Sequence, residues 1–418
     1  MAQKSSSRET YTAHRCLVCA EETVQQFLDL GDTALANKFL TAEELSDREP
    51  TYPLRVGFCH TCTHVQLTEM VPPQAMFEDY LYMSSASDTL KAHLFDLSDL
   101  LVERYHPAPG ALVIDIGCND GTLLSGFQRH GVRVVGVDPA ANLAELMRDK
   151  PIERYVGFFN ADTAQQIVSK WGQASIITAT NTFPHIPGLR DFLTGIQTVL
   201  APGGAFVIEA HYLGDLLTQR AFDTIYHEHV SYWALGPMAH LFAQQGLEVV
   251  DAERIPLHHG QLRVSVQRQG EGRVQPRVAE LLAQERSWGF DRFTTYQQFA
   301  QQTYGVRDDL HRTLKALRQD GRQVAGYGAP AKGNTLLSFL ELGPQEIDYI
   351  ADRSALKQGR YTPGTHIPVV SPERLLSDQP DYVLLLAWNF ADEVLAQQAE
   401  YRRRGGKFIL PVPEVRII

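Results

Sequence analysis

Two Cys-x-x-Cys pairs, Cys16/Cys19 and Cys59/Cys62, hold four of the chain's five cysteines. Such knuckles can set four thiolates around one Zn²⁺ ion in a tetrahedron. Four protein ligands leave no open position, so the expected site is structural. The stretch between the pairs is longer than the roughly 15–20 residues of the usual ribbon. His14, His60 and His64 stand near enough in sequence to replace one thiolate. The fifth cysteine, Cys118, lies in a glycine loop and reads as a small tolerated residue rather than a nucleophile.

That loop runs VIDIGCNDG from Val113 to Gly121. Gly117 and Gly121 allow a tight turn and close approach of backbone. Asp115, Asn119 and Asp120 make the loop acidic. It has neither the spaced glycine triplet of a dinucleotide site nor the Lys-Ser/Thr of a phosphate loop. An acidic loop repels pyrophosphate and suits the cationic end of S-adenosylmethionine (SAM). The next strand, VVGVD, ends in Asp138, where a carboxylate can hold ribose hydroxyls. The pattern predicts a Rossmann-like SAM site, to which Asn160 and Asn181 are also assigned.

Tyr226, His227, Glu228 and His229 form a dense run of acid/base groups. Methyl transfer to carbon requires a carbanion equivalent. A carbon beside a ketone provides one when its proton leaves and the enolate forms. The enzyme then needs a base at that carbon and donors at the enolate oxygen. Histidine suits the first task because its pKa lies near working pH. Tyrosine and a second histidine suit the other. On a helix His227 and His229 would point to nearly opposite faces and be poorly placed to chelate one ion, and methyl transfer from a sulfonium needs no Lewis acid. His227 reads as structural.

A second glycine loop, GYGAPAKGN from Gly326 to Asn334, follows a strand and opens a helix. The helix start could accept phosphate, with Lys332 neutralising it and Asn334 adding a hydrogen bond. Arg353, Lys357 and Arg360 form a local basic patch, and with Tyr361 they are assigned to substrate binding. NAD is the weaker rival there, because the glycine spacing is wrong and no clear acidic partner stands at the expected strand end.

These groups need a scaffold. At about 150 residues per domain, 418 residues make two or three domains. The hydrophobic fraction of 44% and charged fraction of 21% are ordinary for a soluble globular protein. A net charge of −11 disfavours binding to nucleic-acid backbone or to an anionic membrane. The polar N-terminus has no signal-like apolar run, and a cytoplasmic location is expected. Reduced thiols in that compartment favour metal over disulfides. A turn-rich segment closes at Pro72 and Pro73, and LKAHLFDLSDLLVERY predicts an amphipathic helix packed through Leu90, Leu94, Leu97, Leu100 and Leu101. Strands then alternate with helices, the pattern of a parallel sheet covered on both faces. LEVVDAERI and QLRVSVQ suit an antiparallel pair at its edge. Residues 271–320 are helical from Pro276, and a second strand–helix pattern begins at Arg322. The expected fold is α/β in three parts. They are a zinc-binding module over 1–75, a Rossmann-like class I SAM methyltransferase domain over 76–270, and a C-terminal Rossmann-like domain over 271–418.

Several motifs in this order resemble the zinc-containing, SAM-dependent sugar C-methyltransferases, which act on nucleotide-linked 4-keto deoxysugars. Besides the cysteine pairs they are YLYMSS at 80–85, DIGCNDGTLL at 115–124, NTFPHI at 181–186, FDTIYHEHVSYW at 222–233, GYGAPAKGNTLL at 326–337, DRSALKQGRYTPGTHIP at 352–368 and AWNFADE at 387–393. The resemblance implies that His229 is the base, that Glu228 holds or tunes it, and that Tyr226 donates to the enolate. Tyr80 and His185 match further active-site positions, and Tyr80 is expected to bring a lid from the end of the zinc module. Two departures stand out: Cys118 replaces a serine, and LHHGQLR at 257–263 replaces a His-Gly-Gly-Ser-type turn. The implied reaction moves a methyl group from SAM to C3, beside the C4 ketone, in a monomeric enzyme whose C-terminal domain holds the nucleotide diphosphate. The alternatives are methylation at C5 or of another keto acceptor. A zinc-ribbon nucleic-acid protein is disfavoured by the net charge of −11 and by the lack of basic–aromatic interleaving.

Overall fold

The computed structural model describes residues 11–12, 15–77, 83–146, 150–257 and 260–418. Three main sheets organise them. The first is antiparallel and orders its strands Ser231–Tyr232, Val65–Leu67, Tyr52–Cys59 and Val24–Thr33. Alternation along two of these strands sends Leu28, Leu30, Val56 and Phe58 into the core. The edge strand Ser231–Tyr232 comes from far along the chain, so the cysteine-bearing sheet is completed by the segment that follows His229.

The second sheet has seven strands. Five are parallel: Glu153–Val156, Arg133–Asp138, Leu112–Ile116, Ala174–Thr180 and Leu200–His211, in spatial order. The hairpin Leu247–Ile255 and Gln261–Arg268 adds two antiparallel strands at the edge, as the short connection implied. Leu112–Ile116 is buried at every position, which is how a strand covered on both faces reads. The helix Asp88–Tyr105 packs through Leu90, Leu94, Leu97 and Leu101, while Leu100 stays half-exposed. Ser87 caps its start and left-handed His106 ends it.

The third sheet orders Val369–Val370, Ile350–Ala351, Val324–Tyr327, Tyr382–Leu385, Lys407–Leu410 and Arg416–Ile417, parallel except for the last. Two helices, Pro276–Ser287 and Phe293–Gln319, precede it. The second of them reaches the first sheet, where Tyr296 packs on Phe27 and Phe58 and Tyr304 bonds to the backbone of Asp29. One buried apolar cluster includes residues from all three sheets. No helix among the described residues is long and apolar enough to cross a membrane.

Candidate active site and zinc site

Each Cys-x-x-Cys knuckle closes on itself. Ala20 N–H donates to Cys16 C=O and Thr63 N–H to Cys59 C=O, both at 2.9 Å, and both donors are left-handed. The four Sγ atoms lie within 4.8 Å of one another, with Cys16–Cys62 at 3.4 Å and Cys19–Cys59 at 3.5 Å. Zn–S bonds of about 2.3 Å in a tetrahedron fit that spacing, and the donor set is all thiol. No described histidine replaces a sulfur. His60 bonds to Gln25, and buried His64 bonds to Ser231 at 3.1 Å while its ring packs on Trp233. His14 lies outside the described residues.

A cleft of about 1190 Å³ lies where the carboxyl ends of strands from the second and third sheets face each other. Ligands of open α/β sheets gather at such ends, and the volume exceeds the roughly 300–1000 Å³ of a site for one small molecule. Asp115, Gly117, Asn119, Asp138, Asn160 and Asn181 all line it. Gly117 has φ +74, and a Cβ there would meet Thr182 Oγ1 at 2.0 Å, so only glycine keeps that wall open. Asp138 accepts from Asn119 N–H at 2.8 Å and from Ala140 N–H at 2.9 Å, tying the loop to the second parallel strand. Asp115 bonds to the Thr178 hydroxyl at 2.7 Å, and burial pushes its carboxyl up to about 7. These acidic groups fit a cationic cofactor. Asp120 and Gly121 correct the reading: neither lines the cleft. Asp120 instead accepts from Ser85 N–H and the Thr122 hydroxyl, and Gly121 caps the helix Thr122–Gln128. Cys118 packs against Gly136, and burial raises its thiol, so it is inert.

The Tyr226–His229 run is neither strand nor helix. His229 N–H donates to Tyr226 C=O at 2.9 Å, making a turn that brings the two rings to 4.1 Å. His229 Nδ1–H donates to Thr224 C=O at 2.8 Å. A carbonyl can only accept, so Nε2 keeps the lone pair. Burial, reinforced by His185, pulls the His229 pKa down to about 3. His185 stacks on it at 5.2 Å, follows the fourth parallel strand as expected, and is likewise pulled down to about 3 by burial. Phe77, at the end of the zinc-bearing segment, stacks on His185 at 5.2 Å. Tyr80 lies outside the described residues.

Glu228 and His227 face the cysteine-bearing segment. Glu228 accepts from Asn37 Nδ2 at 2.6 Å and is not among the lining residues. The Thr224 carbonyl orients the His229 ring, and no hydrogen bond from Glu228 to that ring is seen among the described residues. His227 donates to Pro53 C=O at 3.2 Å and packs edge-on against Tyr52, a structural role. Sequence reading missed His211. It ends the fifth parallel strand, lines the cleft, and lies 5.0 Å from His229 ring to ring. Its place at a strand's carboxyl end was the available signal.

Of the basic groups, Lys332, Arg353 and Lys357 line the far side of the cleft. The Lys332 ammonium sits 3.9 Å over the Trp388 ring, has no hydrogen-bond partner among the described residues, and is brought down to about 8 by burial. Lys357 donates to Ala329 C=O at 2.8 Å. Arg353 is exposed, 3.8 Å from Glu393. Asn334, Arg360 and Tyr361 are corrections, because each binds backbone of the segment 36–40 instead of lining the cleft. Asp352 was also missed. It accepts from Ala329 N–H at 2.6 Å and Ser354 N–H at 2.7 Å, the same arrangement that Asp138 makes at the first loop.

The C-methyltransferase C-terminal domain family matches residues 256–413, a zinc binding domain family residues 16–77, and a methyltransferase domain family residues 90–252. With the thiol cluster and the acidic glycine loop, they define a SAM-dependent C-methyltransferase that carries a structural zinc site. The C-methyltransferase NovU of Streptomyces niveus is 40% identical over 404 residues, 96% of this chain and 96% of its own. The chain belongs to that family, the zinc-containing, SAM-dependent sugar C-methyltransferases. A ubiquinone biosynthesis O-methyltransferase of Acinetobacter baylyi is 25% identical over 34% of this chain and 65% of its own. Among solved structures, a SAM-dependent methyltransferase from Anabaena variabilis covers 48% of this chain and 100% of its own at 15% identity, with a TM-score of 0.34.

Proposed function

We propose that the protein transfers a methyl group from SAM to C3 of a nucleotide-linked 4-keto deoxysugar, and that His229 is the base. The observation that carries this reading is the lock on His229. Its Nδ1–H is held by Thr224, which leaves Nε2 as the acceptor in a cleft with room for two ligands. Nε2 takes the C3 proton, and the C–H electron pair moves into the enolate, whose oxygen Tyr226 or His185 can meet with a hydrogen bond. A buried imidazole gains its proton only as the enolate's negative charge forms beside it. SAM supplies an electrophilic methyl group. As the enolate carbon attacks that group, the new C–C bond forms and the S–CH3 bond breaks with its pair on sulfur. S-adenosylhomocysteine, the methylated keto sugar and one proton on His229 result.

The remaining placements support this reading. Asp115 and Asp138 suit SAM, and Lys332 and Lys357 suit the substrate's diphosphate. The working unit proposed is a monomer. The second sheet ends at Arg268, which supports a domain limit near 270. With methyl-labelled SAM and a nucleotide-linked 4-keto deoxysugar, carbon NMR is expected to place the label on C3. A label on C5 or on oxygen would overturn the assignment.

A further inference from the structure

Lys332 lines the cleft at the start of the helix Ala331–Phe339, yet it is only 9% exposed. Its ammonium has no hydrogen-bond partner among the described residues. Burial of that kind drives a lysine toward its neutral form, and a neutral lysine attracts no phosphate. Two groups oppose the loss of charge. The Trp388 ring lies 3.9 Å from the ammonium, and an aromatic face attracts a cation. Asp223 is fully buried, and one of its oxygens accepts from Nε1–H of the same indole at 2.6 Å. Its other oxygen has no hydrogen-bond partner among the described residues. One indole thus joins a buried carboxylate to a buried ammonium. Each charge favours the other: Asp223 raises Lys332, and Lys332 lowers Asp223. The cleft wall around Lys332 also carries Asp352, Arg353, Lys357 and Glu393. Asp352 and Lys357 are tied to the backbone of Ala329, and Arg353 lies 3.8 Å from Glu393. Among the described residues, the charge that acts on Lys332 is that of Asp223.

We propose that Asp223 is a positioning residue for the substrate: joined to Lys332 by the Trp388 indole, it keeps that ammonium cationic at the helix start, where the diphosphate of the nucleotide sugar binds. The diphosphate oxygens supply the partner that the ammonium lacks, and the helix N-terminus adds to their attraction. Asp223 itself touches no substrate atom. It comes from the segment that bears His229, whereas Lys332 follows the strand Val324–Tyr327. The grip on the diphosphate therefore depends on both walls of the cleft.

This inference rests on Lys332 holding the diphosphate, and the test separates the two. Titration calorimetry without SAM measures binding of a nucleotide-linked 4-keto deoxysugar across a range of pH. Lys332, at about 8 in the free protein, is charged below that value, so parent affinity should be level there and fall as pH rises through it. Asp223→Asn keeps the shape and can still accept from Trp388, but it removes the charge. Its fall in affinity is expected to begin about one pH unit lower. Binding then becomes roughly five- to tenfold weaker at about pH 8 and above, while parent and variant bind alike at about pH 6. In Lys332→Met, adding Asp223→Asn should change affinity by less than about twofold, because the carboxylate has no ammonium left to act on. Parent-like binding by Asp223→Asn at every pH, or an equal loss with and without Lys332, would overturn the inference. Lys332→Met that binds as the parent does would overturn the diphosphate assignment, and this inference with it. Should Asp223→Asn fail to fold, Trp388→Phe keeps a ring face and breaks the join. The same downward shift in pH dependence is expected, and an unmoved profile refutes the role of Asp223.

Discussion

His229 owes its neutral state to burial and its orientation to a backbone carbonyl, so its acid/base character is set by the turn that carries it. Asp115 is tuned by burial in the opposite sense, and its effect can be read from SAM affinity. Its carboxyl, at about 7 in the free protein, is neutral below that value and charged above it. A cationic ligand favours the charged form, so SAM binding should tighten as pH rises through about 7 and then level off. Asp115→Asn should bind SAM more weakly with that pH dependence flattened, as titration calorimetry would show. An unchanged slope would remove Asp115 from the cofactor site. At this scale the sequence was partly legible. The resemblance implied that Glu228 holds or tunes His229; the turn gives these neighbours different partners, Asn37 for Glu228 and the Thr224 carbonyl for His229. His211 and Asp352 were passed over because the meaning of each depends on the strand that it ends or follows.

The cysteine knuckles do more than fold their own segment. Their sheet takes Ser231–Tyr232 as an edge strand, and Leu67 N–H donates to Val230 C=O at 3.0 Å. The zinc site thus anchors the downstream end of the turn that bears His229. Structural zinc contributes about 10–16 kcal/mol in isolated fingers, far more than this small sheet could replace. Cys59→Ser, or removal of zinc by a chelator, is expected to abolish turnover and lower the melting temperature, with metal content measured alongside. Full activity in metal-free protein would contradict the anchor. Most strands and helices were legible because their periodicity is local, as in the helix Asp88–Tyr105. The two-residue strand Ser231–Tyr232 was not, since its pairing is made by distant Gln66 and Val65.

Across the whole molecule, two Rossmann-like sheets oppose their carboxyl ends, and the cleft is acidic at Asp115 and Asp138 and basic at Lys332 and Lys357. A net charge of −11 conceals that polarity. The turn that follows a strand of the third sheet grips the segment bearing His229 directly: Trp388 Nε1–H donates to buried Asp223 at 2.6 Å, next to Thr224. Lys332→Met should raise KM for the nucleotide sugar by roughly ten- to a hundredfold, the equivalent of about 1.5–3 kcal/mol for a charge-assisted bond. SAM affinity should be unchanged, and a loss confined to kcat would place Lys332 with Asp223 rather than with substrate. The most direct test of the central claim is proton exchange. Held in D2O with a nucleotide-linked 4-keto deoxysugar and no SAM, the enzyme should place deuterium at C3, and His229→Asn should place none while still binding SAM. Exchange at C5, or exchange that persists in His229→Asn, would contradict it.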